Sequence, residues 1–556
     1  MVPELIITNA RVLTMDDDNP RAQAVALAEG EILAVGDRFE IEALAGPKTK
    51  VLDADGCTLL PGFVESHLHL VFGGAELKHL HVGGLRGIKA LREAFRAFGE
   101  KNPDLPLLMA QGADYAMLDH AVTRHDMDAI MADRPIAMSA HDHHTVWANT
   151  AALKAAGLLH GLETSPGHEV VMGEDGLATG ELREFEAFVP IYEVLGEARL
   201  HFAIATGAEP NPWPSPEEQA VDRAKVLEGL RHCAAHGITS MVNMDGNRYT
   251  LELLRGLQEE GELLARVKVP FHFKPHMELS ELDRAEAMTR DFNDDWLSSG
   301  FVKLFMDGVV DSGTAFMEND YPDQPGHQGE ALFSRGRFAE IATEIDRRGL
   351  QIAVHAIGDG AVKTVIDGYE AAARANGPRD SRHRIEHIEL IDPADVPRLA
   401  ELGIVASVQP VHAPGAMDFP LQPTLTRIGA ARLKDAYLCR SLSDAGARIA
   451  FASDWPVADV SVLRGVQAAL TRPIYEGASD QRVELAQALR AYTAGGAWAA
   501  HREDLTGRLA AGMAADLVLL TADLEATPPE EIAAVEVALT ICGGRVTYAR
   551  AATIAG

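Results

Sequence analysis

The 556-residue chain reads as an α/β protein: a (β/α)8 barrel of the TIM type, with a composite β-sandwich from both chain ends and a large insertion after the first barrel strand. Three observations predict this. Short apolar, strand-like runs alternate with helical patterns through the second half of the chain, the rhythm of parallel βα units. Both ends of the chain are instead rich in short strands and turns. Histidines, a lysine and an aspartate fall where the apolar runs stop, which is where such barrels carry their chemistry.

The ends come first. Residues 5–7, 10–14, 24–27 and 32–36 are apolar strands, the last two joined by a Glu29-Gly30-Glu31 turn. Residues 515–520, 535–541 and 543–548 repeat this character near the other terminus. The expectation is one β-sandwich from residues 1–60 and 505–556, interrupted by a barrel over 61–504. Residues from about 73 to 220 are less regular and hold stretches such as Glu209-Pro210-Asn211-Pro212-Trp213-Pro214. They read as an insertion with a small fold of its own, including a helix over 88–99. Barrel strands are expected over 240–243, 267–271, 301–305, 351–355, 404–408 and 449–452, with helices over 216–236 and 337–348 between them. The chain shows no low-complexity tract and no short internal repeat.

Thr58-Leu59-Leu60 leads into Pro61-Gly62-Phe63-Val64-Glu65-Ser66-His67-Leu68-His69. In a strand, residues two apart share a face, so His67 and His69 present two imidazoles to one point, an arrangement suited to a metal. Alone the pair is weak. The other strand ends add Lys303 inside Phe301-Val302-Lys303-Leu304-Phe305, His355 in Val354-His355-Ala356, His387 in Arg384-Ile385-Glu386-His387, and Asp454 in Ala452-Ser453-Asp454-Trp455. A single strand-end histidine is usually a hydrogen-bonded core group, a strand lysine usually reaches for solvent, and an aspartate before a turn usually caps it. Four histidines, a lysine and an aspartate at successive strand termini point jointly to a metal site.

This series resembles the amidohydrolase superfamily over nearly the whole chain. Val302-Lys303-Leu304-Phe305-Met306-Asp307-Gly308, Val354-His355-Ala356-Ile357-Gly358-Asp359, Ile385-Glu386-His387 and Ser453-Asp454-Trp455-Pro456-Val457 are similar to the N-substituted formamide deformylase-like branch. So are Asp142-His143-His144-Thr145-Val146-Trp147-Ala148-Asn149 and Ala178-Thr179-Gly180-Glu181-Leu182. The resemblance implies one or two divalent ions, Zn first, with Mn or Co as alternatives. His67, His69 and Asp454 are implied as ligands of one ion, and His355 and His387 of a second. Lys303 is implied as a bridge if its amine is carboxylated by CO2; a plain structural lysine with a single ion is the alternative. The implied reaction is attack of metal-activated hydroxide on an amide-type carbonyl (N-formyl, N-acyl or cyclic amide), with Asp454 as acid and base. Glu65 departs from the family, which usually has Asp before the two histidines.

Substrate-binding candidates are His144, Trp147 and Asn149, through their motif. Asp311 and Tyr321 follow on the loop after the Lys303 strand, and His412 ends the 404–408 strand. His79, His81, His141, His143, His232 and His236 are expected to be structural or at the surface. Two other functions compete. A deaminase of an amino-heterocycle usually carries Glu three residues after the histidine that His355 matches, whereas Ala356-Ile357-Gly358 stands here. A catalytically silent scaffold or regulatory protein of this fold need not keep all six groups.

Composition bounds the partners. A net charge of −32 argues against nucleic acid and an anionic membrane surface as partner and does not identify a substrate; the small-molecule substrate is what the resemblance implies. The four cysteines, Cys57, Cys233, Cys439 and Cys542, form no CxxC pair. Neither a signal-peptide pattern nor a transmembrane-length apolar segment is seen. A cytoplasmic protein is expected, with a homodimer as the default assembly.

Overall fold

A computed structural model describes residues 1–165, 167–417 and 419–551. Two parallel sheets form the centre of this α/β protein. One has the spatial order Leu297–Ser298, Arg266–Lys268, Ile238–Asn243, Phe63–Leu68; the other runs Phe271–His272, Phe301–Phe305, Gln351–Ala356, Arg384–His387, Val405–Val408, Arg448–Phe451. Most of these strands are buried along their whole length, as parallel strands covered on both faces must be, which is why they read as continuous apolar runs.

The two sheets share a run of chain. Residues 266–268 pair with 240–242, and after two intervening residues Phe271–His272 pairs with Val302–Lys303. Pro270, which has no N–H to donate, stands at the changeover. Their other edges also meet: the Asp454 N–H donates to His67 O at 2.9 Å, and the His69 N–H donates to Trp455 O at 2.7 Å. Helices fill the connections. Pro216–Ala235 opens with a Ser215/Glu218 capping box and proline in its first turn, and Arg335–Arg347 is capped by Ser334.

Strands from the two chain ends pair with one another. A six-stranded sheet has the order Arg545–Ala549, Val537–Cys542, Leu517–Leu520, Thr58–Pro61, Arg11–Leu13, Arg21–Ala22, with Val518 opposite Leu60. A four-stranded sheet of Glu31–Gly36, Ala24–Ala28, Leu5–Thr8 and Lys50–Asp53 lies against it. Ile7, Val25, Leu59, Leu517 and Ile541 share one apolar cluster between the two. Gly62 is the passage from this layer into the parallel sheet. A Cβ there would sit 2.1 Å from Thr239 Oγ1, so only glycine lets Pro61 and Phe63 serve different sheets.

Between Leu68 and Ile238 the chain makes one excursion, because Phe63–Leu68 and Ile238–Asn243 are parallel neighbours, with Val64 opposite Ser240. The excursion holds its own six-stranded sheet, Glu169–Met172, Ala178–Arg183, Thr145–Ala148, Ile136–Ala140, Leu108–Ala113, Leu80–His81, and the helix Gly87–Lys101. Its helix Phe185–Leu195 reaches back toward the strand ends, where Phe185 meets Phe305 with ring centroids 6.0 Å apart. Among the described residues no helix is long and apolar enough to cross a membrane.

Candidate metal centre

The strand Phe63–Leu68 stops one residue before His69, which lies at φ −115° and ψ 77° and precedes the helix Leu70–Glu76. The two histidines are therefore one strand residue and one helix-entry residue, not two residues of one strand as the alternation suggested. His69 gives this helix no side-chain cap. Instead Asn243 Oδ1 accepts the Leu70 N–H at 2.8 Å, and Asp245 Oδ2 accepts the Phe72 N–H at 3.1 Å. These two groups at the end of the neighbouring strand satisfy helix donors that would otherwise be orphaned, and so hold His69 in place. The result still converges: His67 Nε2 and His69 Nε2 lie 3.2 and 3.3 Å from Asp454 Oδ1.

The other strand ends complete the cluster. His387 stands with ring centroids 4.9 Å from His67 and 4.5 Å from His355. Lys303 Nζ lies 4.9 Å from the Phe305 ring centroid. All six groups line one cavity of about 370 Å³. Asp454, His387, His143 and Glu184 have φ of 60°, 80°, 63° and 63°, a left-handed conformation costly for non-glycine residues. Such backbone strain gathers where surrounding structure holds a side chain for a purpose.

A second layer aims the imidazoles. His67 Nδ1 donates to Glu386 Oε2 at 2.7 Å, which turns its other nitrogen to the cavity. Glu386 is itself clamped by Arg384, whose Nε and Nη2 lie 2.8 and 3.0 Å from its two oxygens. Burial alone would raise the Glu386 pKa, but Arg384 and His67 hold it well below the usual carboxylate range. His387 Nδ1 meets Gln409 Oε1 at 2.9 Å, and His355 Nε2 donates to Gly308 O at 2.9 Å. Asp307 accepts the Ile357, Gly358 and Phe316 N–H groups, tying the Lys303 strand end to the His355 strand end. Glu65 Oε1 accepts the Ser453 N–H at 2.7 Å, and burial pushes its pKa up to about 8. The longer side chain therefore still braces the segment that bears Asp454.

The donor set fits a divalent metal. His67 Nε2, His69 Nδ1, Lys303 Nζ and Asp454 Oδ1 are buried and have no hydrogen-bond partner, a state native proteins avoid unless a ligand or ion belongs there. His67, His69 and Asp454 offer ligand atoms within 4.8 Å of one another, as do His387, His412 and Asp454. Burial brings His69 down to about 4 and Lys303 down to about 8, in the latter against the pull of Glu386 and Asp454. Asp454 stays well below the carboxylate range because His67, His69 and His387 outweigh its burial. Neutral imidazoles and an ionised carboxylate are the ligand forms zinc takes.

The structure separates the six substrate-site expectations into two groups. His144 lines the first cavity and a second of about 420 Å³ beside it; Asp311 and His412 line the second, together with Glu389 and Tyr437. His144 Nδ1 lies 2.7 Å from Glu184 Oε2, and although burial opposes it, Glu184 lifts the His144 pKa to about 9. Trp147, Asn149 and Tyr321 line neither cavity. Trp147 packs edge-on to Tyr115 in the core of the insertion. Asn149 caps the helix Thr150–Ala155, and its amide is used up on the Ile136 and Ala152 N–H groups and on Met131 O and Arg134 O. Tyr321 donates to Ala315 O at 2.7 Å and stacks on His327. Their motif spacing is thus spent on holding the insertion and loop together.

Conversely, His143, expected to be structural, lines the first cavity and holds Glu76 Oε2 at 2.9 Å. Glu386 and Arg384 were also missed as a pair. The available signal was their i, i+2 spacing on one strand, which puts both on the face opposite His387.

The class follows from fold and site together: the chain belongs to the amidohydrolase family, whose profile matches residues 50–548. Its relatives narrow this. It is 28% identical to Protein LONG AFTER FAR-RED 3 of Arabidopsis thaliana, over 99% of this chain and 92% of that protein. It is 26% identical to the N-substituted formamide deformylase of Arthrobacter pascens, over 98% of each. Among solved structures, an uncharacterized metal-dependent hydrolase of Pyrococcus horikoshii matches with a TM-score of 0.71 at 24% identity, covering 95% of this chain and 98% of that one. At that identity the likeness is one of fold.

Proposed function

We propose that this chain is a metal-dependent hydrolase that cleaves a non-peptide, amide-type C–N bond in a small molecule. The observation that carries the reading is the gathering in one cavity of His67 Nε2, Lys303 Nζ and Asp454 Oδ1, all buried without a hydrogen-bond partner, with His69 Nε2 3.3 Å from the same Asp454 oxygen. His67, His69 and Asp454 would hold one divalent ion, with Zn first among candidates, and His355 and His387 a second. Lys303 would lie between them as a carbamate: the free Nζ adds to the carbon of CO2 and an N–H proton leaves to solvent. A buried cation thereby becomes an anion with two ligand oxygens, which removes the cost of an unpaired ammonium. The lowered Lys303 pKa supplies the free amine that this addition needs. Bound there, the ion acts as a Lewis acid and brings the pKa of a water to about 7.

The chain's own groups do the rest. Asp454, through the carboxylate oxygen not given to the ion, would take a proton from the attacking water and return it to the departing nitrogen. His144, braced by Glu184, is placed to donate to the substrate carbonyl oxygen as charge builds there. Phe72, Phe185 and Phe305 wall the cavity and limit water. The second cavity is lined by Asp142, Asp311 and Glu389 and also by His144, whose pKa lies at about 9; burial pushes Glu389 up to about 8, so its charge favours cationic amides only above that pH.

The same reading takes the two parallel sheets as halves of one (β/α)8 barrel, supported by their shared strand run and the Asp454–His67 seam. The barrel is then 61–504, with 73–220 as insertion and 1–60 plus 505–556 as the composite domain. Four unpaired cysteines, three of them buried, support a reducing, cytoplasmic setting. The test is metal analysis of the purified protein with a turnover screen of N-formyl, N-acyl and cyclic amides. Roughly stoichiometric metal with hydrolysis in one class supports the reading. Protein that stays metal-poor after Zn, Mn or Co with bicarbonate, and inactive on every class, overturns it.

A further inference from the structure

The strand starts, opposite the end that carries the metal centre, enclose a second and differently charged recess. It is lined by Arg266, Lys268, Arg502, Asp295, Ser240 and Thr506. Its charges do not balance. Arg266 is paired by Asp516, with contacts of 2.7 and 3.1 Å. Arg502 donates to Asp294 O at 2.9 Å, and its nearest carboxylate, Asp295, lies 3.8 Å away. Lys268 has no carboxylate within ion-pair distance among the described residues. Its ammonium donates to Gln351 Oε1 and Ala500 O, each at 3.2 Å, and lies 5.4 Å from the Phe301 ring centroid. Burial, with Arg384, Arg502 and Arg382 nearby, pulls its pKa down to about 7. Two hydroxyls complete the lining. Ser240 Oγ and Thr506 Oγ1 belong to residues 8% and 2% exposed, and neither has a hydrogen-bond partner. In a chain of net charge −32, a buried surplus of cations and idle donors is a local construction.

A recessed cation that has only neutral acceptors is costly, and a buried hydroxyl without a protein partner calls for a ligand or a water. A single ligand with several acceptor oxygens and negative charge answers all of them at once. We propose that this recess binds a small tetrahedral oxyanion of the phosphate or sulfate type, held by Lys268, Arg502, Ser240 and Thr506. The anion bridges the strands Ile238–Asn243 and Arg266–Lys268 to the segment that follows the helix Ala494–Ala499, so it clamps the floor of the parallel sheets. It takes no part in the chemistry at their other end.

The test is a sulfate titration of the metal-loaded enzyme at constant ionic strength against chloride, read by calorimetry and thermal unfolding. One saturable site per chain is expected, with an unfolding midpoint raised by about 2–4 °C at saturation. Lys268→Met should weaken binding at least about tenfold, the loss of a charge-assisted contact. Asp454→Asn, which alters the other site, should leave sulfate affinity unchanged. Because Lys268→Met may not be tolerated in the fold, Ser240→Ala with Thr506→Val provides a charge-neutral check, with about a tenfold loss expected. The proposal is overturned by sulfate acting no differently from chloride, by unchanged affinity in the Lys268 or hydroxyl variants, or by loss of the site in Asp454→Asn alone.

Discussion

Glu386→Gln isolates the group that aims His67. Glu386 is fully buried, holds His67 Nδ1 at 2.7 Å, and neutralises Arg384, itself 1% exposed. The amide keeps the shape and one acceptor oxygen but removes the charge, so the Arg384 guanidinium is left buried without a counter-ion. Removing one partner of a buried pair costs about 3–5 kcal/mol. The imidazole also becomes a poorer ligand, and loss of such a supporting group typically weakens metal binding about 10–100-fold, equivalent to about 1.4–2.7 kcal/mol. Urea unfolding of the metal-free protein reads the first effect, and chelator competition on the loaded protein reads the second. The pH dependence has a definite sign. The folded pKa of Glu386 lies well below its ordinary 4.5, so its contribution is complete above about that pH and fades as pH falls toward the folded value. Wild type should show this acid slope and Glu386→Gln should lack it. A variant within about 0.5 kcal/mol of wild type, with metal affinity unchanged, would refute the claim that this carboxylate supports the centre.

The remaining expectations are more direct. Lys303→Ala should lose metal and activity, and short carboxylic acids should restore part of both if a carbamate is the native bridge; unchanged metal content, with no rescue, rules the bridge out. Asp454→Asn should lower kcat by about 100-fold or more while circular dichroism stays native, and retained turnover would move the acid–base role elsewhere. Asn149→Ala should cost about 1 kcal/mol of stability, as lost helix caps do, and leave kcat/KM unaltered; a selective fall in kcat/KM would return Asn149 to the substrate site. Above about pH 8, where Glu389 is ionised, Glu389→Gln should lower kcat/KM for amides bearing a cationic group more than for neutral ones of the same shape, and an equal effect on both would remove this carboxylate from specificity.

The residues differ in how openly the sequence displays them. Parallel strands are buried on both faces, so 301–305, 351–356 and 405–408 stand out as apolar runs, and any polar group that ends one is conspicuous. Lys303, His355, His387 and Asp454 were legible for that reason. The composite sheet was legible because 517–520 and 58–61 have strand character and short turns around them, although nothing local says that they pair. Trp147 and Asn149, singled out by motif resemblance, and Tyr321, singled out by its loop position, lie away from both cavities, because neither signal distinguishes a residue that lines a cavity from one that holds the surrounding segment together. Asn149 is a helix cap, and caps recur at fixed spacing for structural reasons.

Chain order and residue type thus determined the α/β character with parallel strands, the order of the strand-end histidines, lysine and aspartate, and the acidic, cysteine-poor character of the molecule, because burial and period are local properties. Only the folded chain decided which groups face one another across long separations. Glu386 meets His67 over 319 residues and Ser453 meets Glu65 over 388. The turn of His69 out of its strand depends on Asn243 and Asp245 from the next one. Lys268 and Lys303 look alike in sequence, each a lysine in an apolar run. Lys303 opens among carboxylates and imidazoles at the strand ends, and Lys268 opens among arginines and idle hydroxyls at the strand starts. A side chain's electrostatic surroundings are set by which strands become neighbours, and pairing over hundreds of residues leaves no local trace.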